Sequence, residues 1–248
     1  MTKTNFSRPD GRNQDQLREI SFTPDFVQYP AGSVLVTWGN TRVLCNLTIQ
    51  EGVPTWLSGH GRGWMTAEYA LLPQSTHTRT PRETNGLKGR TQEIRRLIGR
   101  SLRMAVDLSL IGERTLLLDC DVIQADGGTR VASVTGGYIA LALGLKSLIE
   151  ANVIPKEALR PPIGAVSVGL VKGQPILDLN YAEDSQADVD LNVVMTSDNR
   201  FIEVQGTAEG EAFSRGDLDK LLAFAEKGIR EIIAQQTEII HPRHQNFP

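Results

Sequence analysis

Two stretches of this chain carry side chains able to manage a phosphate and a proton. Asp184, Asp188 and Asp190 fall within EDSQADVD, at the entry to an apolar, strand-like run. Carboxylates held close together repel, so a fold keeps them adjacent only for a hard cation, a shared proton or a basic partner. Residues two apart on a strand share a face, so Asp188 and Asp190 are expected to point the same way, with Asp184 folding back from a turn. The second stretch is Gly127-Gly128-Thr129-Arg130, between an apolar run at 116–123 and a helix-like run reaching about Ala151. Glycine lets a backbone approach where a Cβ would block it, and a helix start offers free N–H groups and the positive end of a dipole. Thr129 adds a hydroxyl and Arg130 a fixed charge with a fork of donors. The pattern predicts that Gly128, Thr129 and Arg130 hold a phosphate. Plainer readings stand beside both motifs: strand–GG–helix turns also merely reverse a chain, and aspartates also cap exposed turns.

The residue patterns exclude several chemistries. No G-x-x-x-x-G-K-[ST] and no G-x-G-x-x-G between strand and helix is present, which argues against a P-loop nucleotide or a dinucleotide and leaves a bare phosphate or a phosphodiester. No nucleophile–His–acid pattern such as G-x-S-x-G occurs; His60 and His77 fall in polar loops, His241 and His244 in the tail. Cys45 and Cys120 lie far apart in apolar runs, which is neither a disulfide framework nor zinc spacing.

Charge is distributed unevenly. The 248 residues sum to −3, which gives no bulk attraction to nucleic acid. Yet eight basic residues (Arg79, Arg82, Lys88, Arg90, Arg95, Arg96, Arg100, Arg103) face only Glu83 and Glu93 in one stretch, and five acids with no base lie between Asp178 and Asp190. Such segregation suits a polyanion held beside a metal or an acid, although it also describes two solvated faces of opposite sign. The uncharged run between Arg130 and Lys146 is too short to cross a bilayer, and MTKTNFSRPDGR lacks a signal-peptide core. A cytoplasmic protein with reduced cysteines and no membrane partner is expected.

The elements that must position these residues follow from periodicity. Alternating runs at 33–39 and 41–53 around Gly39-Asn40 predict a hairpin, with a further strand at 64–72 and a polar, mobile loop at 74–89. Residues 91–106 predict an amphipathic helix with Ile94, Leu97, Ile98 and Leu102 inward and Arg96, Arg100 and Arg103 as an outward ridge. A linker at 155–162 precedes strands at 163–172, 174–179, 189–196 and 201–206, then a helix over 214–235 capped by Ser214. Two successive sheet-then-helix sections predict an internally duplicated α+β fold. The expected division is a first half, 1–154, with the phosphate site and basic helix; a second half, 155–240, with the acidic site and C-terminal helix; and a disordered tail, 241–248.

Taken together, RPDGR (8–12), KGRTQEIRRLIGRSLR (88–103), LDCDVIQADGGTR (118–130), EDSQADVDLNVVMT (183–196) and FIEVQGTAEG (201–210) resemble the bacterial ribonuclease PH family, in order and over nearly the whole chain. The resemblance implies a duplicated βαβα-type fold similar to a ribosomal small-subunit protein domain, with two mixed sheets and packed helices. It also implies a homohexamer built as a trimer of dimers. The implied activity is that of a tRNA nucleotidyltransferase, a phosphorolytic 3′-to-5′ exoribonuclease. Such an enzyme trims tRNA precursors and other RNA 3′ ends with inorganic phosphate, releases nucleoside diphosphates, and can run in reverse. By position, phosphate binding falls on Arg90, Gly128, Thr129 and Arg130. The essential acidic pair, with Mg²⁺ or as proton donor, falls on Asp184 and Asp190. RNA grip and subunit contact fall on Arg79 and Arg82, with Arg96 and Arg100 on the basic helix. Gln74 departs from the family, which has arginine there, and this bears on assembly and RNA grip. Two rivals remain: a non-catalytic RNA-binding ring subunit, and a hydrolytic nuclease using the same aspartates with water.

Overall fold

Alternation of buried and half-buried residues builds the first sheet. The structure, a computed structural model, describes residues 7–241; the tail expected to be disordered lies outside them from residue 242 on. Strands β1 (Ile20–Pro24), β2 (Gly32–Trp38), β3 (Thr41–Glu51), β4 (Trp64–Leu71) and β5 (Arg114–Gln124) pair in the order β1-β2-β3-β5-β4. All contacts are antiparallel except β4–β5, which is parallel because helix α1 (Gly89–Arg103) crosses between them. Gly39-Asn40 closes the β2–β3 hairpin in two residues, with Gly39 at φ +55°. One strand, β1, has no counterpart among the sequence-predicted elements: ISFTP alternates, but five residues ending in proline carry little periodic signal.

Helix α2 (Thr129–Glu150) is apolar on nearly every side and packs on β2 and β3 of this sheet and on strand β6 (Ile163–Val171) of the next. By length and composition it could cross a membrane, yet most of its apolar window is buried inside the protein, as befits a core helix. Its approach to β2 is tight: a Cβ on Gly32 would sit 2.1 Å from the carbonyl oxygen of Ala140.

The second sheet is antiparallel, in the order β7-β6-β8-β9, from β6 (Ile163–Val171), β7 (Gln174–Leu177), β8 (Val189–Thr196) and β9 (Phe201–Ala208). A short helix, α3 (Tyr181–Asp184), precedes β8, and α4 (Arg215–Ile240) covers β6 and β7, starting from the Ser214 cap. The two sheet-and-helix sections share one large apolar core, with a smaller cluster at Val171, Ile176, Leu179 and Ala187, in a duplicated α+β fold. Helix α1 begins and ends earlier than its apolar spacing predicts. Ala105 and Val106 leave it because the segment expected as a linker pins them: the Ala105 carbonyl accepts from Arg160 N at 2.9 Å, and Val106 bridges to Leu159.

The polar bond between the two sections is buried. Asp178, fully inaccessible, receives Arg18 N at 2.7 Å, Arg18 Nη2 at 2.6 Å and Trp38 Nε1 at 2.9 Å. Nearby, Arg8 grips Glu183 with two bonds of 2.7 Å and also donates to the carbonyls of Leu177 and Asp178. The run of five acids is therefore not one cluster, since Asp178 and Glu183 are structural anchors. Burial alone would raise the Asp178 pKa, but the Arg18 charge and hydrogen bonds outweigh it and hold the carboxyl below its ordinary value. Its contribution to stability is thus present above about pH 4 and is lost as pH falls through the depressed value. Asp178→Ala leaves Arg18 buried without its partner and should destabilise the fold by about 3–5 kcal/mol in denaturant titration at pH 7; a loss under about 1 kcal/mol would contradict this role.

Candidate active site

The Gly127-Gly128 turn sets the residues expected to bind phosphate. Both glycines have positive φ, +77° and +70°. A Cβ on Gly127 would meet Leu179 O at 2.7 Å and Tyr181 N at 2.9 Å. What approaches Gly127 is thus this chain's own backbone leading into α3, and of the paired glycines only Gly128 stands at the helix start. Arg18 Nη1 donates to Asp126 O at 2.6 Å and Thr41 Oγ1 to Gly127 O at 2.7 Å, which clamps the turn between the two sections.

Gly128 caps α2 in the left-handed region with no side-chain cap, so the first-turn N–H groups keep their donors for an anion. Thr129 is buried, and its hydroxyl pairs with Tyr69 OH at 2.8 Å; it fixes the turn rather than standing free. Arg130 is held from two sides: Nη1 donates to Glu93 Oε1 on α1 and to Gln205 Oε1 on β9, each at 3.2 Å, and Gln205 Nε2 donates to the same Glu93 oxygen at 3.1 Å. Neither Glu93 nor Gln205 is legible as a site residue from spacing, because they meet Arg130 only through packing.

Arg90 is exposed in the first turn of α1. That helix start lacks its own side-chain cap, and Glu83 from the preceding loop serves instead, accepting from Lys88 N at 3.0 Å and Thr91 Oγ1 at 2.9 Å. The loop expected to be mobile is thus tied at both ends, since Ala125 N also donates to Ser75 O at 2.8 Å.

The acidic side comes from the second section. Asp184 is the last residue of α3, a one-turn helix fixed by a reciprocal Asn180–Glu183 capping box and by Arg8 on Glu183. That Asn-x-x-Glu pattern was the available sequence signal for α3. Asp190 lies on β8, half-buried; its Oδ2 receives Asn192 Nδ2 at 3.5 Å, and its Oδ1 is buried with no hydrogen-bond partner among the described residues. Asp188 does not join the pair. Its carboxylate turns to the β6–β7 turn and accepts from Gly173 N at 3.3 Å, because Asp188 precedes the strand and escapes its alternation.

The electrostatics tie these groups together. Burial, then the charge of Asp184, raises Asp190 to about 6, with Arg130 and Arg90 opposing. Burial also raises Asp184, against Arg90, Arg130 and Arg18. Two arginines from the first section therefore act on both carboxylates of the second. Arg79, Arg82, Arg96 and Arg100 stand apart: all are exposed, with Arg82 facing Asp121 and Arg100 paired to Glu203 at 2.6 Å. The orphaned Asp190 oxygen beside a second carboxylate fits Mg²⁺, which binds through one or two carboxylates and completes its shell with water and phosphate. Among the described residues no group of three or more His, Cys, Asp or Glu forms a closed metal cage.

A duplicated α+β chain with arginines and carboxylates converging between its sections is the frame of a phosphate-handling enzyme. Family models described as 3′ exoribonuclease family, domain 1 and domain 2, match residues 16–144 and 161–228, and the chain belongs to that family. It is 55% identical over 235 residues to Ribonuclease PH of Corynebacterium efficiens, covering 94% of this chain and 96% of the relative. It is 54% identical over 236 residues to Ribonuclease PH of Bacillus subtilis, with the same coverage. Among solved structures it is similar to the Archaeoglobus fulgidus exosome with RNA bound to the active site (TM-score 0.78, 23% identity, 92% of each chain). It is also similar to rice Rrp46 (TM-score 0.77, 19% identity, 94% of this chain and 100% of that one); at these identities the likeness concerns the fold.

A raised carboxylate pKa binds its proton more tightly in the folded state, so this group's contribution to stability is lost as pH rises from about 4 through about 6. Asp190→Asn should then make the fold more stable at pH 7.5, by about 3 kcal/mol in denaturant titration. The difference should vanish below about pH 4, and an Asn variant no more stable than the parent at pH 7.5 would refute the shift.

Proposed function

We propose that this chain removes 3′-terminal nucleotides from RNA by phosphorolysis, trimming tRNA precursors and other RNA 3′ ends and releasing nucleoside diphosphates. One observation carries the reading: Arg130, at the start of α2, is hydrogen-bonded to Gln205 of β9, the strand paired with the Asp190-bearing β8, so the cationic and acidic parts meet. Phosphorolysis needs two anions, the attacking phosphate and the scissile one, brought together beside a proton source. The arginines and the open N–H groups at the start of α2 answer the first need, and the acidic pair answers the second.

In this reading inorganic phosphate lies against Arg90, Arg130 and the turn after Gly128, with Thr129 and Tyr69 fixing that turn. A phosphate oxygen bonds to the phosphorus of the terminal nucleotide while the bond from that phosphorus to the 3′ oxygen of the preceding nucleotide breaks. The chain's task is to hold the groups in line and to balance their charge. Asp190, which keeps a proton more readily than an exposed aspartate, gives it to the departing 3′ oxygen, and Asp184 sustains the shift that makes this possible. Alternatively, Asp184 and Asp190 would both be ionised and hold Mg²⁺, which would supply positive charge to the scissile phosphate. The same contacts serve the reverse reaction, addition of a nucleotide from a nucleoside diphosphate.

Arg79, Arg82, Arg96 and Arg100 grip the RNA backbone or a neighbouring subunit in a homohexamer, a trimer of dimers. Gln74, exposed in the loop with Arg79 and Arg82, gives that loop one charge fewer than an arginine would. The two buried free cysteines agree with a reducing cytoplasm. We also read 1–154 and 155–240 as the two halves of one compact subunit.

Incubating RNA with and without phosphate separates the readings: nucleoside diphosphates formed only with phosphate support phosphorolysis, monophosphates formed without it would mean hydrolysis, and no product a binding subunit. Arg90→Ala should lower the rate about a hundredfold, roughly 3 kcal/mol, with an unchanged melting temperature. Sedimentation should give a hexamer at micromolar concentration, and a monomer there would defeat the ring.

A further inference from the structure

Two groups with chemistry of their own take no part in the site described above. Cys45 on β3 and Cys120 on β5 are free and buried, and they stand directly opposite each other in the first sheet. The kind of pair they form follows from the backbone bonding. Asp25 N donates to Ser33 O and Gly39 N to Glu19 O, so odd-numbered residues of β2 face β1 and even-numbered ones, Val34 among them, face β3. Val34 is the partner of Cys45, which therefore turns both its N–H and its C=O towards β2. Just past the end of β3, Gly52 N donates to Glu113 O, which puts even-numbered residues on the β5 side and agrees. Cys45 and Cys120 are thus a non-hydrogen-bonded antiparallel pair, the kind whose Cα atoms come within about 4.5 Å and whose side chains lie closest. A disulfide accepts Cα separations of about 4.4–6.8 Å. Both sulfurs also lie 3.9 Å from one acceptor, the carbonyl oxygen of Ser133 on α2.

What stands above this pair is the turn expected to bind phosphate. Ser133 Oγ donates to Thr129 O at 2.8 Å, and Thr129 pairs with Tyr69, itself the partner of Cys120 on β4. Further along α2, Gly136 sits against Cys45: a Cβ there would meet its sulfur at 2.8 Å. We propose that Cys45 and Cys120 are a reversible oxidation site, which hydrogen peroxide closes into a disulfide beneath the first turn of α2, and that closure weakens phosphate binding. The effect on phosphate rests on the phosphorolytic reading; the bond itself does not. First, one thiol sulfur bonds to a peroxide oxygen while the O–O bond breaks, and its proton leaves with the departing oxygen as water. The other sulfur then attacks this sulfenic acid: the S–S bond forms, the S–O bond breaks, and a second water carries off the second proton. Two thiols and one peroxide give one disulfide and two waters, the sulfurs losing the two electrons that the peroxide oxygens gain. The reaction is slow, because the Cys45 side chain and burial hold the Cys120 thiol well above its ordinary pKa and the thiolate is the reactive form. Peroxide, small and uncharged, enters when the first turn of α2 opens locally. Closure takes both S–H donors from Ser133 O and draws the sulfurs away from α2, so the turn bearing Thr129 and Arg130 loses support.

The test treats the intact parent with millimolar hydrogen peroxide, removes the excess with catalase, and counts thiols in denaturant by N-ethylmaleimide labelling and mass spectrometry. The parent should pass from two labels to none, lose the mass of two hydrogen atoms, yield a peptide joining Cys45 to Cys120, and recover both labels with dithiothreitol. The KM for phosphate in nucleoside diphosphate release should rise about threefold on oxidation, the worth of one weak hydrogen bond, and return on reduction. Cys120→Ala and Cys45→Ser, treated identically, should form no bond within the chain and keep their KM, which separates closure from other oxidation. Two free thiols after an exposure that oxidises the methionines, cysteines carried to sulfinic acid without a bond, a bond between separate chains, or closure with an unchanged KM would each overturn the proposal. A reduced parent that releases no nucleoside diphosphate would instead refute the phosphorolytic reading, and the labelling would still decide the disulfide.

Discussion

The buried contact between Arg18 and Asp178 is the constraint on which the rest of the structure depends. An aspartate removed from water is unfavourable unless its charge and lone pairs are met, and here Arg18 and Trp38 meet them from the first sheet. The same Arg18 reaches on to the carbonyl of Asp126, so one guanidinium fixes both the Gly127-Gly128 turn and the segment leading to Asp184 and Asp190. The absent side chain of Gly127 then lets the two backbones touch. Cationic and anionic parts that are distant in the chain thus meet at a defined separation.

Within that frame the site is held under electrostatic tension. Asp190 keeps one buried oxygen unsatisfied, and burial together with the Asp184 charge raises its pKa. Arg130 is steadied by groups from two other elements, Glu93 of α1 and Gln205 of β9, so the guanidinium is held in one orientation. Preorganisation of this kind spares the reaction from ordering its own charges. Tyr69 plays the equivalent part for Thr129, from the parallel edge of the first sheet.

Much of this was legible in the residues, and the limits are instructive. The strands, α1, α2 and α4 follow from apolar spacing to within a few residues, since burial on one face leaves a periodic mark. β1 and α3 are too short to leave one. Asp188 was expected beside Asp190 from alternation, but alternation begins only where the strand does, one residue later. The acidic run gave no sign that Asp178 and Glu183 would turn inward while Asp184 turned to the site, because identical carboxyl groups are told apart only by what packs against them. Arg8 and Arg12 stood in a recognisable motif, yet their task as anchors rests on partners some 170 positions away.

The sequence by itself determined which chemistry was available: a helix start after paired glycines, arginines on one amphipathic helix, and a carboxylate pair ahead of a buried strand. These are local properties, written in spacing and residue type. Tertiary structure alone decided which aspartates share a field with Arg90 and Arg130, that Glu93 and Gln205 steady the latter, and that Gly127 serves the chain's own backbone. Coulomb energy and desolvation depend on distance through space and on burial, and neither quantity exists until the two sections have packed.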